Sequence, residues 1–209
     1  MFDFDIMSFI AGLPGLILAM TVHEYAHARA AVALGDITPR ITGRLTLNPL
    51  AHIDPIGLLM LILAHFGWAK PVMINPRNFK NYKRDDILVS LAGPAANLLL
   101  AFLTLVVLLI YSKFFGRMSQ GTYLVLQLIV LYNINFAIFN MIPLPPLDGS
   151  HILKHFLPAR YAYRYAQIER YSFFILIVFV MTPVLTYILI PLQQLVWFIF
   201  RMILMPFFS

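Results

Sequence analysis

The chain has 209 residues, 61% of them hydrophobic and only 11% charged, with a formal charge of +6. A soluble domain of that size could not cover so much apolar surface, so lipid is the expected solvent for most of the chain. The lack of cysteine excludes disulfides and thiolate metal sites, leaving His, Asp and Glu as metal ligands. In a membrane protein basic loops more often report topology, which argues against nucleic acid as the partner of that charge.

Taken in chain order, the first apolar run covers residues 6–34. The five residues before it, Met-Phe-Asp-Phe-Asp, lack the positive charge of a secretory leader, so the run reads as a retained membrane helix. Further runs of spanning length cover residues 87–111, 122–142 and 171–190. Residues 191–208 are also apolar but contain Arg201, and read as a fifth span or an interfacial helix. A shorter run, residues 56–66, would reach only about 16 Å as a helix, roughly half a hydrocarbon core. Basic residues flank it on both sides, from Arg29 to Arg44 and from Lys70 to Arg84, so it reads as re-entrant or interfacial.

Counting Arg29 near the end of the first run, eight Lys/Arg lie between Arg29 and Arg84; the connection after the second run holds two (Lys113, Arg117) and the one after the third four (Lys154, Arg160, Arg164, Arg170). By the positive-inside rule the first and third connections lie inside and the N-terminus outside. Tyrosines 161, 163, 165 and 171 among the last of these basic residues read as a headgroup belt. Residues 40–47 alternate Ile41, Leu45 and Leu47 with Thr42, Arg44 and Thr46, which suggests a strand, an irregular loop being the alternative. The expected architecture is an all-α polytopic membrane protein. It has four to five transmembrane helices, a short membrane-associated β segment and a re-entrant or interfacial helix. Residues 1–209 form one domain, with a core at 6–150 and C-terminal helices at 171–209.

Inside the first apolar run lies His23-Glu24-Tyr25-Ala26-His27. Residues four apart share a helix face, so both imidazoles can meet one metal ion. Glu24 sits about 100° around the helix from His23, near the metal and free to handle protons. Ionisable groups at membrane depth are costly and usually functional; the alternative is a polar cluster hydrogen-bonded between helices. A third protein ligand is needed, and among the remaining acids Asp148 stands out. It ends Asn140-Met-Ile-Pro143-Leu-Pro145-Pro146-Leu-Asp148-Gly149, where prolines break the helix. Non-helical backbone at membrane depth belongs beside protein or a wet cavity. That favours a ligand-bearing cavity wall, with an ordinary interfacial Asp-Gly turn as the other reading.

These segments resemble the site-2 protease family of intramembrane zinc metalloproteases, in its short form without a PDZ domain. His23 to His27 looks like its HExxH motif, Asn140 to Gly149 its Asn-Pro-Leu-Asp-Gly motif, and Gly93-Pro94-Ala95-Ala96-Asn97 its Gly-Pro-x-x-Asn segment. The resemblance implies one zinc ion per chain on His23, His27 and Asp148, with Glu24 as catalytic base and Asn140 touching substrate. It further implies hydrolysis within transmembrane segments of membrane-protein substrates. The topology, with His23 eleven residues from the end of the first run, puts the site toward the cytoplasmic side of the lipid bilayer. Asn97 reads as a helix-packing hydrogen bonder or a site residue, and His52 as a loop histidine or an oxyanion donor. His65, His151 and His155 read as loop or interfacial residues. Residues 48–55 and Gly67-Trp68-Ala69-Lys70-Pro71 have no assigned role. The rivals are a prenyl-protein type of membrane zinc protease, for which only Glu169 could be third ligand, and a non-catalytic scaffold or zinc transporter.

Overall fold

The computed structural model describes residues 6–64 and 67–208; Asp3, Asp5, His65 and the N-terminal reading fall outside them. The chain runs through α1 (Ile6–Ala33), α2 (Thr38–Ile41), α3 (Pro55–Ala64), α4 (Tyr82–Phe115), α5 (Gln120–Asn140), α6 (Asp148–Lys154), α7 (Ala159–Glu169), α8 (Ser172–Met181) and α9 (Val184–Phe208). Four of these, α1, α4, α5 and α9, are long and apolar enough to cross a membrane.

Local signals set their ends. The Asn81 side chain accepts from the Arg84 amide to cap α4, and Ser119 does the same for α5 through the Thr122 amide. Gly116, at φ +82°, ends α4. Prolines 143, 145 and 146 prevent α5 from continuing past Asn140. Helices α1, α4 and α5 pack on one another. Their buried faces hold small residues, Ala19, Ala28, Ala31, Gly93, Ala101 and Ala137, which let backbones approach closely where lipid gives no hydrophobic drive to associate. Against them α9 lays Phe200, Leu189, Val196 and Trp197, beside Ala101, Leu108, Val130, Ile134 and Ile138.

Three expectations are corrected. The run at 171–190 is not one span: Thr182 is extended, as a residue before proline must tend to be, and Pro183 separates α8 from α9. Ten residues of α8 reach only about 15 Å. The run at 191–208 is not a separate element either; it is the body of α9, which passes through Pro191. Residues 40–47 form no strand. Pro39 presets a helical turn at α2, Asp36 takes the Thr38 amide and hydroxyl, and Gly43 turns the chain at φ +68°. Local side-chain-to-backbone bonding outweighs the alternating pattern there. The one strand-like pairing among the described residues is the antiparallel bridge Ile53↔Ala69.

That bridge brings together the chain entering and leaving α3, whose first amides, Ile56 and Gly57, are capped by Asp54 Oδ1 at 2.9 Å. Ten residues that begin and end side by side do not cross a bilayer, consistent with the re-entrant or interfacial reading. Lys113 Nζ, near the end of α4, donates to Phe207 O at the end of α9, so those two ends share a face. The opposite face gathers the end of α1, the start of α4, the end of α5 and the start of α9. Twelve of the fifteen Lys and Arg lie at or beside this second face, all but Lys113, Arg117 and Arg201.

Candidate metal centre

One turn of α1 separates His23 from His27, and their Nε2 atoms face each other at 2.9 Å. Asp148, the first residue of α6, sends Oδ2 to within 3.1 Å of His23 Nε2 and 3.3 Å of His27 Nε2. Both imidazoles are buried. These three side chains are the ones among the described residues whose ligand atoms converge as a metal-binding group.

The other nitrogen of each ring decides what the convergence means. His27 Nδ1 lies 2.7 Å from Val89 O, a carbonyl that can only accept. His23 Nδ1 lies 2.7 Å from Asn97 Oδ1. The Asn97 amide cannot be flipped, because its Nδ2 donates to Ala19 O and to Asn133 Oδ1, both at 2.8 Å. Both Nδ1 atoms therefore carry a proton, so that in the neutral rings both Nε2 atoms present lone pairs. Asp148 Oδ2 is buried with no hydrogen-bond partner. With both rings neutral, three lone pairs meet at one point, an arrangement that a cation resolves. Gly93 of α4 supplies the floor: a Cβ there would stand 2.5 Å from His27 Nε2 and 2.6 Å from His23 Cε1. The donor set, two imidazoles and a carboxylate, suits zinc with a position left for water.

Glu24 is buried beside this group, and its Oε2 accepts from the Val72 amide at 2.9 Å. Asn140 stands apart in its bonding: its Nδ2 donates to Phe136 O of its own helix. His52 is a buried loop histidine, with Nε2 held by Thr46 O at 2.8 Å and Nδ1 without a hydrogen-bond partner. His155 is more than a loop residue, since its Nε2 meets Asp86 Oδ2 at 2.6 Å and ties the end of α6 to α4. Tyr165 Oη donates to Pro143 O, joining α7 to the proline-broken segment that leads to Asp148.

Three elements of the site carry weak sequence signals. Asn133 is an amide in the middle of an apolar span, and Gln127 and Asn135 on the same helix offer the same sign. Asn97 serves both readings weighed for it, packing against α5 and orienting His23. The Val72 amide has no side-chain signature at all. Because Asn97 fixes the His23 tautomer, Asn97→Leu is expected to lower zinc affinity about 10- to 100-fold, and Asn97→Asp, which keeps an acceptor, much less. Competition with a metallochromic chelator in detergent measures both.

Comparison with known proteins agrees with this chemistry. A profile described as "Peptidase family M50" matches residues 115–183, from the end of α4 to the Pro183 break. The Bacillus subtilis protein named "Putative zinc metalloprotease YwhC" is 39% identical over 181 residues, 85% of this chain and 83% of that protein. The chain belongs to peptidase family M50. A "Putative zinc metalloprotease Rip2" of Mycolicibacterium smegmatis is 31% identical over 182 residues, 85% of this chain and 69% of that protein. "Zinc metalloprotease MJ0392" of Methanocaldococcus jannaschii is 37% identical over 81 residues, 39% of this chain and 22% of that protein. No solved structure matches. As a member of M50, the site-2 protease family, the chain is a zinc metalloprotease integral to a membrane.

Proposed function

We propose that this M50 protein hydrolyses peptide bonds within the transmembrane segments of other membrane proteins, with zinc on His23, His27 and Asp148 and with Glu24 as base. The observation that carries the reading is the meeting of two buried imidazoles from α1, a helix long enough to span a bilayer, with the Asp148 carboxylate of α6. Zinc bound there would act as a Lewis acid that activates water and polarises the scissile carbonyl. Glu24 takes the proton that the attacking water releases and returns it to the leaving amine. The Asn97 and Val89 acceptors hold both rings in the ligand tautomer. Asn140, whose carbonyl oxygen is not used in the bond to Phe136, contacts the backbone of the unwound substrate.

The prenyl-protein alternative needs a glutamate ligand. Glu169 is exposed at the end of α7 and does not join the converging group. A transporter has no use for a carboxylate poised beside the metal but outside its ligand set.

The cut position follows from depth. The face bearing twelve of fifteen basic residues is taken as cytoplasmic. His23 lies ten residues before the end of α1 at Ala33, about 15 Å from that face. Model single-span substrates reconstituted with the protein in vesicles should be cut in the cytoplasmic half of their spans. Cleavage should stop with a zinc chelator and slow when helix-breaking Gly, Pro or Asn near that depth becomes Leu. Product-end sequencing decides it: cuts in the outer half refute the orientation, and chelator-insensitive cleavage refutes the metal mechanism.

A further inference from the structure

The connection between α3 and α4 contains Gly67-Trp68-Ala69-Lys70-Pro71, followed by Val72, a run that the zinc chemistry leaves without a role. It is extended rather than helical, and it is fastened along its length. Ala69 bridges Ile53, and the Lys70 amide donates to His52 O at 2.8 Å. His52 is itself fully buried and tied to Thr46. Trp68 lies against Gly57 of α3 so closely that a Cβ on Gly57 would collide with Trp68 O. Farther on, the Asn75 amide and the Asn78 side chain both donate to Asp36, which is fully buried just past α1. Phe79 packs with Ala31 and Val89, and Ile74 joins them. The first set holds the segment against α3 and the chain before it; the second ties its continuation to the end of α1 and the start of α4.

Between the two sets of fastenings sits Val72, buried, and its amide donates to Glu24 Oε2 at 2.9 Å. Among the described residues this is the hydrogen bond that Glu24 makes to protein. A glutamate side chain has three rotatable bonds and, on a helix, no fixed direction of its own. A general base has to present one oxygen to the proton it abstracts, so something must hold the other. A main-chain amide is suited to that: it donates to a carboxylate, cannot accept, and brings no charge to compete with the metal.

We infer that the segment from Trp68 to Val72 is a strap that positions the catalytic base, with the Val72 amide holding Glu24 Oε2 so that Oε1 faces the reacting water. The proposal rests on Glu24 being the base. It makes Val72 a positioning residue whose side chain is dispensable and whose N–H is not. It also gives Gly57, His52 and Asp36 a common purpose, because each fixes the strap or the chain just beyond it without joining the metal group.

The test is made on the full chain reconstituted with a single-span substrate. Replacing Val72 by its α-hydroxy analogue, which turns the amide N–H into an ester oxygen, should lower kcat about 10- to 100-fold. KM and zinc content should not change. Val72→Ala, which keeps the N–H, should stay within about twofold of the parent. In a Glu24→Gln background the ester should cost nothing further, since the group it orients is gone. Should the ester protein fail to fold, Gly57→Ala is the second probe: it displaces Trp68 while altering no catalytic side chain, and should lower kcat with zinc retained. An ester protein with parental kcat, or Val72→Ala as damaged as the ester, overturns the strap. An active Glu24→Gln protein overturns the underlying assignment of the base instead, so the two failures are distinguishable.

Discussion

Glu24→Gln should abolish cleavage while the protein keeps its zinc. The substitution leaves His23, His27 and Asp148 untouched and nearly preserves shape, so the three converging donors still hold the ion. The residue it creates has no carboxylate to accept a proton, and loss of a positioned general base costs about 10²- to 10⁴-fold in turnover. The Val72 amide can still donate to the carbonyl oxygen of the new amide, so the fold around the site has no reason to move. His27→Ala and Asp148→Ala should behave in the opposite order, losing zinc first and activity as a consequence. Metal analysis beside cleavage of a model span separates the two patterns. Near-normal turnover by Glu24→Gln would remove the base from the mechanism; zinc loss by the same variant would make Glu24 a ligand.

Much of this was legible in the sequence because membrane chemistry leaves few choices. Ionisable side chains in an apolar run are expensive, so His23, Glu24, His27 and Asp148 could be picked out without any fold. Their convergence then follows from two local facts, the i, i+4 spacing on α1 and a proline-broken end to α5. What could not be read was whatever depends on backbone. The Val72 amide that meets Glu24 and the Val89 carbonyl that meets His27 have no residue-type signature. The run at 171–190 misled because hydropathy is blind to Pro183 as a break, while α9 passes through Pro191 unbroken. Residues 40–47 misled because alternation is a weak signal beside Pro39 and the Asp36 acceptor.

Asp36 itself shows how polar anchoring works at this end of the bundle. Burial alone pushes its carboxyl up, but the donors from Thr38, Asn75 and Asn78 outweigh that and hold it below the ordinary carboxylate value. The depressed pKa means that its contribution to stability is complete above the unfolded value and is lost as pH falls through the folded one.

Gly93→Ala should empty the metal site, and the sign of that effect is informative. In a helix interior, replacing glycine by alanine ordinarily stabilises by about 1 kcal/mol. Here the new Cβ would lie 2.5 Å from His27 Nε2, 2.6 Å from His23 Cε1 and 2.7 Å from His27 Cε1. One side must give way. The α4 backbone cannot readily retreat, because Val89 and Asn97, one turn before and one turn after Gly93, grip the same two histidines through their Nδ1 atoms. Residues 89, 93 and 97 form a single stripe on α4, with an acceptor, a floor and a second acceptor in succession. Asn97 is further bound to Ala19 O and Asn133 Oδ1, which pins α4 to both neighbouring helices. The imidazoles must therefore move, and their Nε2 atoms would leave the position from which they meet Asp148. Zinc affinity should fall at least about 100-fold, as expected when ligand geometry rather than ligand identity is spoiled. Gly121→Ala, where nothing lies within 4 Å of the added Cβ, is the matched control and should keep zinc and activity. Helical content by circular dichroism should match the parent in both proteins. A Gly93→Ala protein that still binds zinc at parental affinity would mean that α4 does not form the floor of the site.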